Sequence, residues 1–452
     1  MGTTLRPFAT SRSDSSARAE GGDERREIGV TENNEKIATG GARFGGMALA
    51  LLALSIFINY VDRGNLSTAA PLIRSDLRLS NVEYGVLVSA FFWIYAPGQI
   101  IAAWVIQRIN AYRALSVGLA IWSAATVASG FANGFATLLL FRVLLGVGES
   151  VGFPASSKLL AQHLLPKHLG KANGLVSSGI FLGPAVGTFA GGLFIAHAGW
   201  RLLFIVFGAI SFLWLIPWLL STRVLSAQAR ASAVAEPPFR ELLSNRQLWG
   251  ASLGHFCANY PLYVVLSWLP LYLVKSQGFS IAAMARLGGV VYGLATLTCL
   301  AGGWLGDRWI ATGAGTSRVR LTMICSVGVV WFACMLACAL GNATLAIAGL
   351  LAASVPMGLA GFNLYTIAQT LAGPRASGKW MGIQNAIGNL AGITAPVVTG
   401  ALVDWTGRYT LGFLVTGVIA LAGAGSWFLL VRRVEPIAWS ALEPKVAAAA
   451  AC

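Results

Sequence analysis

Residues 45–70 read GGMALALLALSIFINYVDRGNLSTAA, an apolar run in which only Asp62 and Arg63 carry charge. About 20 consecutive apolar residues let a helix cross the hydrocarbon core of a bilayer. A charged side chain at that depth costs at least about 2.5 kcal/mol on insertion scales, so such residues face a wet cavity or pair with one another and mark a path for ions or substrate. The run therefore reads as a membrane helix with a functional point on it. A second run, 137–163, repeats the anomaly with Arg142 and Glu149. Seven positions are close to two helical turns, so these two side chains leave one face of a helix and can line one cavity.

The rest of the chain is of the same kind. Its 452 residues are 56% hydrophobic and 11% charged, outside the range of soluble domains and within that of polytopic membrane proteins. Twelve spans are predicted, near 45–70, 82–106, 113–131, 137–163, 170–197, 200–222, 247–275, 282–306, 319–340, 344–372, 377–404 and 409–431. The net charge of +15 raises the question of nucleic acid, but 23 of the 32 Lys and Arg lie in the tails and one set of alternate loops, against 6 in the other set. That bias is topology rather than a nucleic-acid surface, and it predicts a multi-pass protein of the cell inner membrane with both termini cytoplasmic. The six cysteines stand mostly singly in apolar spans, without metal-ligand or disulfide spacing.

Composition also divides the chain. Residues 1–43 are polar and lack apolar periodicity, which predicts a disordered cytoplasmic tail. The longest internal polar break, 223–246, separates a six-helix bundle at 44–222 from another at 247–432, and 433–452 reads as a second cytoplasmic tail, its Ala-rich end unstructured. The halves echo each other. An offset of 208 aligns Gly174 with Gly382, Gly192 with Gly400, Gly199 with Gly407 and Ser177 with Asn385. Tandem six-helix halves predict an all-α fold of two bundles related by a pseudo-two-fold axis along the membrane normal, with a binding site between them near the midplane.

The six-plus-six order, with Gly303-Trp-Leu-Gly-Asp307-Arg308 after the eighth span, resembles the major facilitator superfamily. Within it, four stretches resemble the anion:cation symporter family: Asn59-Tyr60-Val-Asp62-Arg63-Gly-Asn65, Arg142-x3-Gly146-x2-Glu149-x3-Phe153-Pro154, Asn259-Tyr260-x2-Tyr263-x4-Trp268 and Gln384-Asn385-x3-Asn389. Members of that family move organic anions such as sugar acids, hexuronates and aromatic carboxylates, commonly with protons.

Arg63 offers a planar, permanently charged fork to a carboxylate. At Asp62, desolvation and the neighbouring guanidinium act on the carboxyl in opposite senses, so an anion in the site can switch its protonation; the resemblance gives both positions these roles. A structural Asp62–Arg63 pair within one helix is the other reading. For the fourth span the resemblance implies proton coupling at Glu149 and a gating or tuning contact at Arg142, with a structural pair between helices as the alternative. It also places a substrate-contacting tyrosine at Tyr95, includes Tyr60 in the first motif, and gives Asp307 and Arg308 to gating. Asn259, Tyr263, Gln369, Asn385 and Asn389 supply neutral hydrogen-bonding groups from the second half, and the repeat pairs Asn385 with Ser177; polar contacts between helices are the competing explanation. His255 reads as a packing histidine and Lys158 as a snorkelling one.

Two departures bear on the outcome. Gln107 and Asn110 stand where the superfamily loop motif has Asp and Gly, which predicts a weak latch on that half. Ile180 stands where some sugar-acid transporters carry a polar residue, which leaves room for a less polar anion. The expected function is proton-coupled import of a small organic anion by a monomer, with the proton as coupling ion and no other cofactor or metal. A proton-coupled exporter is the alternative, on the pattern Gly179-x3-Gly183-Pro184-x2-Gly187 in the fifth span. No nucleophile motif, phosphate loop or ligand cluster suggests an enzyme.

Overall fold

The structure, a computed structural model, describes Gly2 and residues 45–231, 236–340 and 343–440. The tail expected over 1–43, apart from Gly2, the Ala-rich end from 441 and positions 232–235 of the linker lie outside the described residues.

Every apolar run folds as helix, because in lipid a backbone amide has only its own helix to bond to. The first half comprises α1 (Gly46–Asp76), α2 (Asn81–Ile109), α3 (Ala111–Ser129) and α4, which runs Phe135–Glu149, slips at residues 150–151, and continues Gly152–His163. A stretch from Leu169 to Leu213 turns at Gly199, where φ is 77°, into α5 (169–198) and α6, and α6 extends through Leu215–Ala231. In the second half come α7 (Arg246–Lys275), α8 (Ile281–Ala311) and α9 (Thr316–Ala339). Ala343–Asn389 reverses at Gly373 into α10 (343–372) and α11, which continues through Ala391–Thr406, and α12 is Thr410–Ser426 with a π-helical end at Trp427–Val431. Among the described residues, ten segments are long and apolar enough to span a bilayer; one of them, 343–406, holds two crossings, and α7, 30 residues long, completes the twelve. Local signals set the starts: Ser80 and Glu83 form a capping box for α2, Asn110 caps α3, and Ser280 caps α8.

The repeat is visible in the backbone. Gly199 and Gly407, paired by the 208-residue offset, both adopt positive φ, 77° and 67°, at the ends of α5 and α11. The paired Gly174 and Gly382 also do equivalent work: a Cβ on Gly174 would meet the Cys299 carbonyl of α8 at 3.0 Å, and one on Gly382 the Gln99 carbonyl of α2 at 2.7 Å. Only glycine lets α5 approach α8, and α11 approach α2, so closely.

Two departures from the expected boundaries appear. The break begins later than residue 223, since α6 runs to Ala231, and a short linker helix (Phe239–Leu243) precedes α7. Residues 432–440 are a packed strap: Ile437 N donates to the Leu371 carbonyl, Trp439 Nε1 donates to the Ala372 carbonyl at 3.0 Å, and Val434 and Trp439 are buried. Buried tryptophans such as Trp122, Trp218 and Trp331 fill the interior, while Phe189, Leu220, Val397 and Phe428 stand exposed on the outside. That is the reverse of a water-facing surface and suits lipid.

Candidate functional site

A cavity lies between the halves. Tyr60 of α1, Phe153 of α4, and Ile180 and Phe181 of α5 form its first-half wall; Asn259 and Tyr263 of α7, Tyr365 of α10, and Asn385 and Asn389 of α11 stand opposite.

The four intramembrane charges gather behind Tyr60. Arg63 Nε donates to Glu149 Oε2 at 2.8 Å, joining α1 to α4. The Arg63 guanidinium carbon lies 4.6 Å from the Tyr60 ring centre, 4.7 Å from Phe91 and 4.3 Å from Tyr95, an aromatic box that suits a delocalised cation. The Arg142 guanidinium carbon also lies over Phe91, 5.5 Å from its ring centre. Asp62 has no cation bonded to it; its Oδ1 accepts from Asn65 Nδ2 at 3.4 Å. Among the described residues, Asp62 Oδ2, Arg63 Nη2, Arg142 Nε and Glu149 Oε1 are buried without a hydrogen-bond partner. Buried polar atoms are rarely left so, and here four cluster around one ion pair. The arrangement resolves one choice left by the sequence: Arg63 pairs with Glu149 rather than with its neighbour Asp62.

Helix packing explains the cluster. Gly179, Gly183 and Gly187 of α5 lie against the backbone or Cβ atoms of Phe57, Tyr60 and Val61, so α5 presses α1 into place. Gly146 of α4 sits against the Phe91 carbonyl of α2, where a Cβ would stand 2.8 Å away. The small residues read from sequence as a possible exporter motif are thereby occupied in helix contact.

The second half contributes no charge to the cavity wall. Tyr263 OH donates to Asn389 Oδ1 at 2.9 Å, Asn389 Nδ2 to the Asn385 carbonyl at 2.8 Å, and Asn385 Nδ2 to Gln99 Oε1 of α2 at 2.5 Å. Asn259 Nδ2 donates to the Gly388 carbonyl. This chain of amides runs from α7 through α11 to the first half. Tyr365 stacks on Phe153 across the seam, with ring centres 4.7 Å apart and planes 6° from parallel.

Of the residues singled out from sequence, Tyr60, Asn259, Tyr263, Asn385 and Asn389 line the cavity, while Asp62, Arg63, Tyr95, Arg142 and Glu149 do not, Arg63 lying against Tyr60 of its wall. Two expected contacts are elsewhere. Ser177 is buried off the wall, because the glycine face of α5 docks on α1 and turns Ile180 and Phe181 to the cavity instead. Gln369 is bonded to Asn173 of α5, with Asn173 Nδ2 to Gln369 Oε1 at 2.7 Å and the return bond at 3.1 Å. Asp307 accepts from the backbone N–H groups of Gly170 and Lys171 at the start of α5, and from Arg320 Nη2 at 2.5 Å. A carboxylate at a helix N-terminus is favoured by the dipole, so this contact ties the two halves together. Arg308 lies over Trp304. His255 packs edge-on to Tyr365, its Nδ1 3.3 Å from Gln384 Nε2. The sequence reading missed Gln99, Asn173 and Tyr365, whose partners lie 196 or more positions away in the cases of the first two, and it misread Lys158, which is paired with Glu236 of the linker.

Two six-helix halves around one central cavity define a multi-pass membrane transporter. The chain belongs to the Major Facilitator Superfamily, whose family model matches residues 52–396. It is 31% identical over 400 residues to the probable sulfoacetate transporter SauU of Cupriavidus necator, covering 84% of this chain and 92% of that one. It is 28% identical to the hexuronate transporter of Bacillus subtilis, over 86% of this chain and 94% of that one. Among solved structures, the human organic anion transporter MFSD10 matches with a TM-score of 0.68 at 16% identity, over 84% of this chain and 98% of that one. The proton:xylose symporter XylE matches with the same score at 15% identity, over 86% and 96%. At those identities the structural likeness speaks for the fold alone.

Proposed function

We propose that this chain moves a small organic anion, bearing a carboxylate or sulfonate, across the cell inner membrane into the cytoplasm together with protons. The observation that carries the reading is the Arg63–Glu149 ion pair held under Tyr60 at the edge of the central cavity. An arriving anion competes with Glu149 for the guanidinium. The displaced carboxylate, buried in apolar surroundings, is then stable only when it takes up a proton. Anion binding and protonation therefore favour each other, and this reciprocal coupling is what symport requires. Asp62, buried nearby without a cation bonded to it, is a second proton site. The relatives named for sulfoacetate and hexuronate support an anionic substrate, and the Tyr263–Asn389–Asn385 chain offers hydrogen bonds to its uncharged end.

Proteoliposomes with an imposed pH gradient test this. Uptake of glucuronate or sulfoacetate should rise when the outside is acid and fall when the gradient is collapsed with a protonophore. Uptake indifferent to the gradient would reject coupling, and stimulation by the opposite gradient would favour an exporter.

A further inference from the structure

At the end of the bundle that carries the linker, the two halves are not latched alike. Asp307 of α8 caps α5 across the seam. Its counterpart on α2, Gln107, turns back and donates to the Ala103 carbonyl of its own helix at 3.2 Å, so it ties nothing to α11. Yet α4 and α11 close here, and they bring two like charges together. The Lys158 stem lies on Gly378, where a Cβ would meet Lys158 Cβ and Cδ at 3.4 Å, and Lys379 follows next on α11. Both lysine side chains are largely buried, 12% and 5% exposed.

Between them stands Glu236 of the linker. Its Oε1 pairs with Lys158 Nζ, and its Oε2 lies 3.7 Å from Lys379 Nζ. Lys379 Nζ also donates to the Pro237 carbonyl at 2.6 Å and lies over the Phe239 ring. The linker is anchored in turn: Leu242 is fully buried, and Ser440 N of the strap donates to Glu241 Oε1 at 2.6 Å.

We infer that Glu236 is a linker-borne latch that holds this end of the transport path shut by bridging Lys158 of the first half to Lys379 of the second, in place of the contact Gln107 does not make. Closure without a carboxylate would leave two ammonium groups facing each other in partly desolvated surroundings, which is unfavourable. When the halves part, the lysines separate with their helices and the bridge is broken. The inference does not depend on which anion is carried or in which direction.

A native reporter is in place. Cys299 of α8 is buried in the seam against the Gly174 carbonyl of α5, 3.5 Å away, so parting of α5 from α8 opens it to solvent. Cys334 is buried within the second half. The full chain in detergent is labelled with N-ethylmaleimide, and both cysteines are quantified by peptide mass spectrometry. Glu236→Gln should raise the Cys299 rate about fivefold, the equilibrium equivalent of losing one partly buried ion pair of ~1 kcal/mol, while Cys334 stays unchanged and Glu236→Asp stays near the parent rate. Equal rises at both cysteines would mean general loosening and overturn the latch, as would an unchanged Cys299 rate. Failure here would leave the proton-gradient result above untouched.

Discussion

In the first half, four ionisable side chains from α1 and α4 are drawn behind Tyr60; in the second half, the wall facing the same cavity offers only neutral amides, phenols and apolar surface. The halves share a helical plan, down to the positive-φ glycines at 199 and 407, but divide the chemistry. Charge near the middle of a membrane is tolerable in one compensated cluster, where each added partner lowers the cost for the rest. Spreading it over both halves would expose uncompensated ions whenever the halves parted. In the function proposed above, the first half handles charge and protons, and the second reads the neutral part of the ligand.

The largest expected effect comes from removing the cation. Arg63→Ala should weaken anion binding at least about 100-fold, because it removes the guanidinium that pairs with the anion, and it should separately destabilise the fold by stranding the buried Glu149 carboxylate, a loss of order 3–5 kcal/mol. Isothermal titration calorimetry measures the affinity. The double variant Arg63→Ala with Glu149→Gln separates binding from folding: it should recover thermal stability and still fail to bind. Binding retained in the double variant would break the assignment of charge recognition to the first half.

Next, Glu149→Gln should keep anion exchange between the two sides within about threefold while accumulation driven by the pH gradient falls to the passive level, since a neutral amide cannot be protonated and released in turn. Accumulation that survives would shift proton coupling to Asp62 alone. A smaller effect is expected across the cavity. Asn385→Ala, or Tyr263→Phe, removes one hydrogen bond and should raise KM by roughly five- to tenfold, about 1 kcal/mol, with the pH-gradient dependence of uptake preserved. A lost gradient dependence in Asn385→Ala would show that the second half is not a neutral reader.

The smallest effect concerns Asp76, at the end of α1 beyond the membrane run. Hydrogen bonds from Arg201 and then Trp200 hold its carboxyl below the usual carboxylate range. A carboxyl depressed in the folded state contributes stability above its unfolded value near 4, and that contribution is lost as pH falls through the depressed value. Asp76→Asn should therefore lower the melting temperature only slightly at pH 7, and the difference from the parent should vanish in strong acid. A large shift at neutral pH would give this exposed pair more weight than solvent screening permits.

Much of this architecture was legible in the chain. Apolar run length set the helices, and the 208-residue offset paired the glycines that the fold uses alike, in turns at Gly199 and Gly407 and in close approaches at Gly174 and Gly382. The intramembrane charges pointed to the cluster because charge there is costly enough to be conspicuous. Less legible were residues whose meaning lies in a distant partner. Ser177 matched Asn385 by position, yet the glycine face of α5 turned it from the cavity. Lys158 looked like an ordinary helix-end lysine until Glu236 came to it, and 433–440 looked like tail until Trp439 found the Ala372 carbonyl.

Which segments cross the membrane, and that charge sits within them, followed from sequence alone, because transfer into lipid is a local property of about 20 residues and sums without knowledge of neighbours. Which charge meets which was decided only by the fold. Arg63 lies beside Asp62 in the chain but bonds Glu149, 86 positions away, because the direction of a buried side chain is set by how helices pack, and that packing depends on every helix at once.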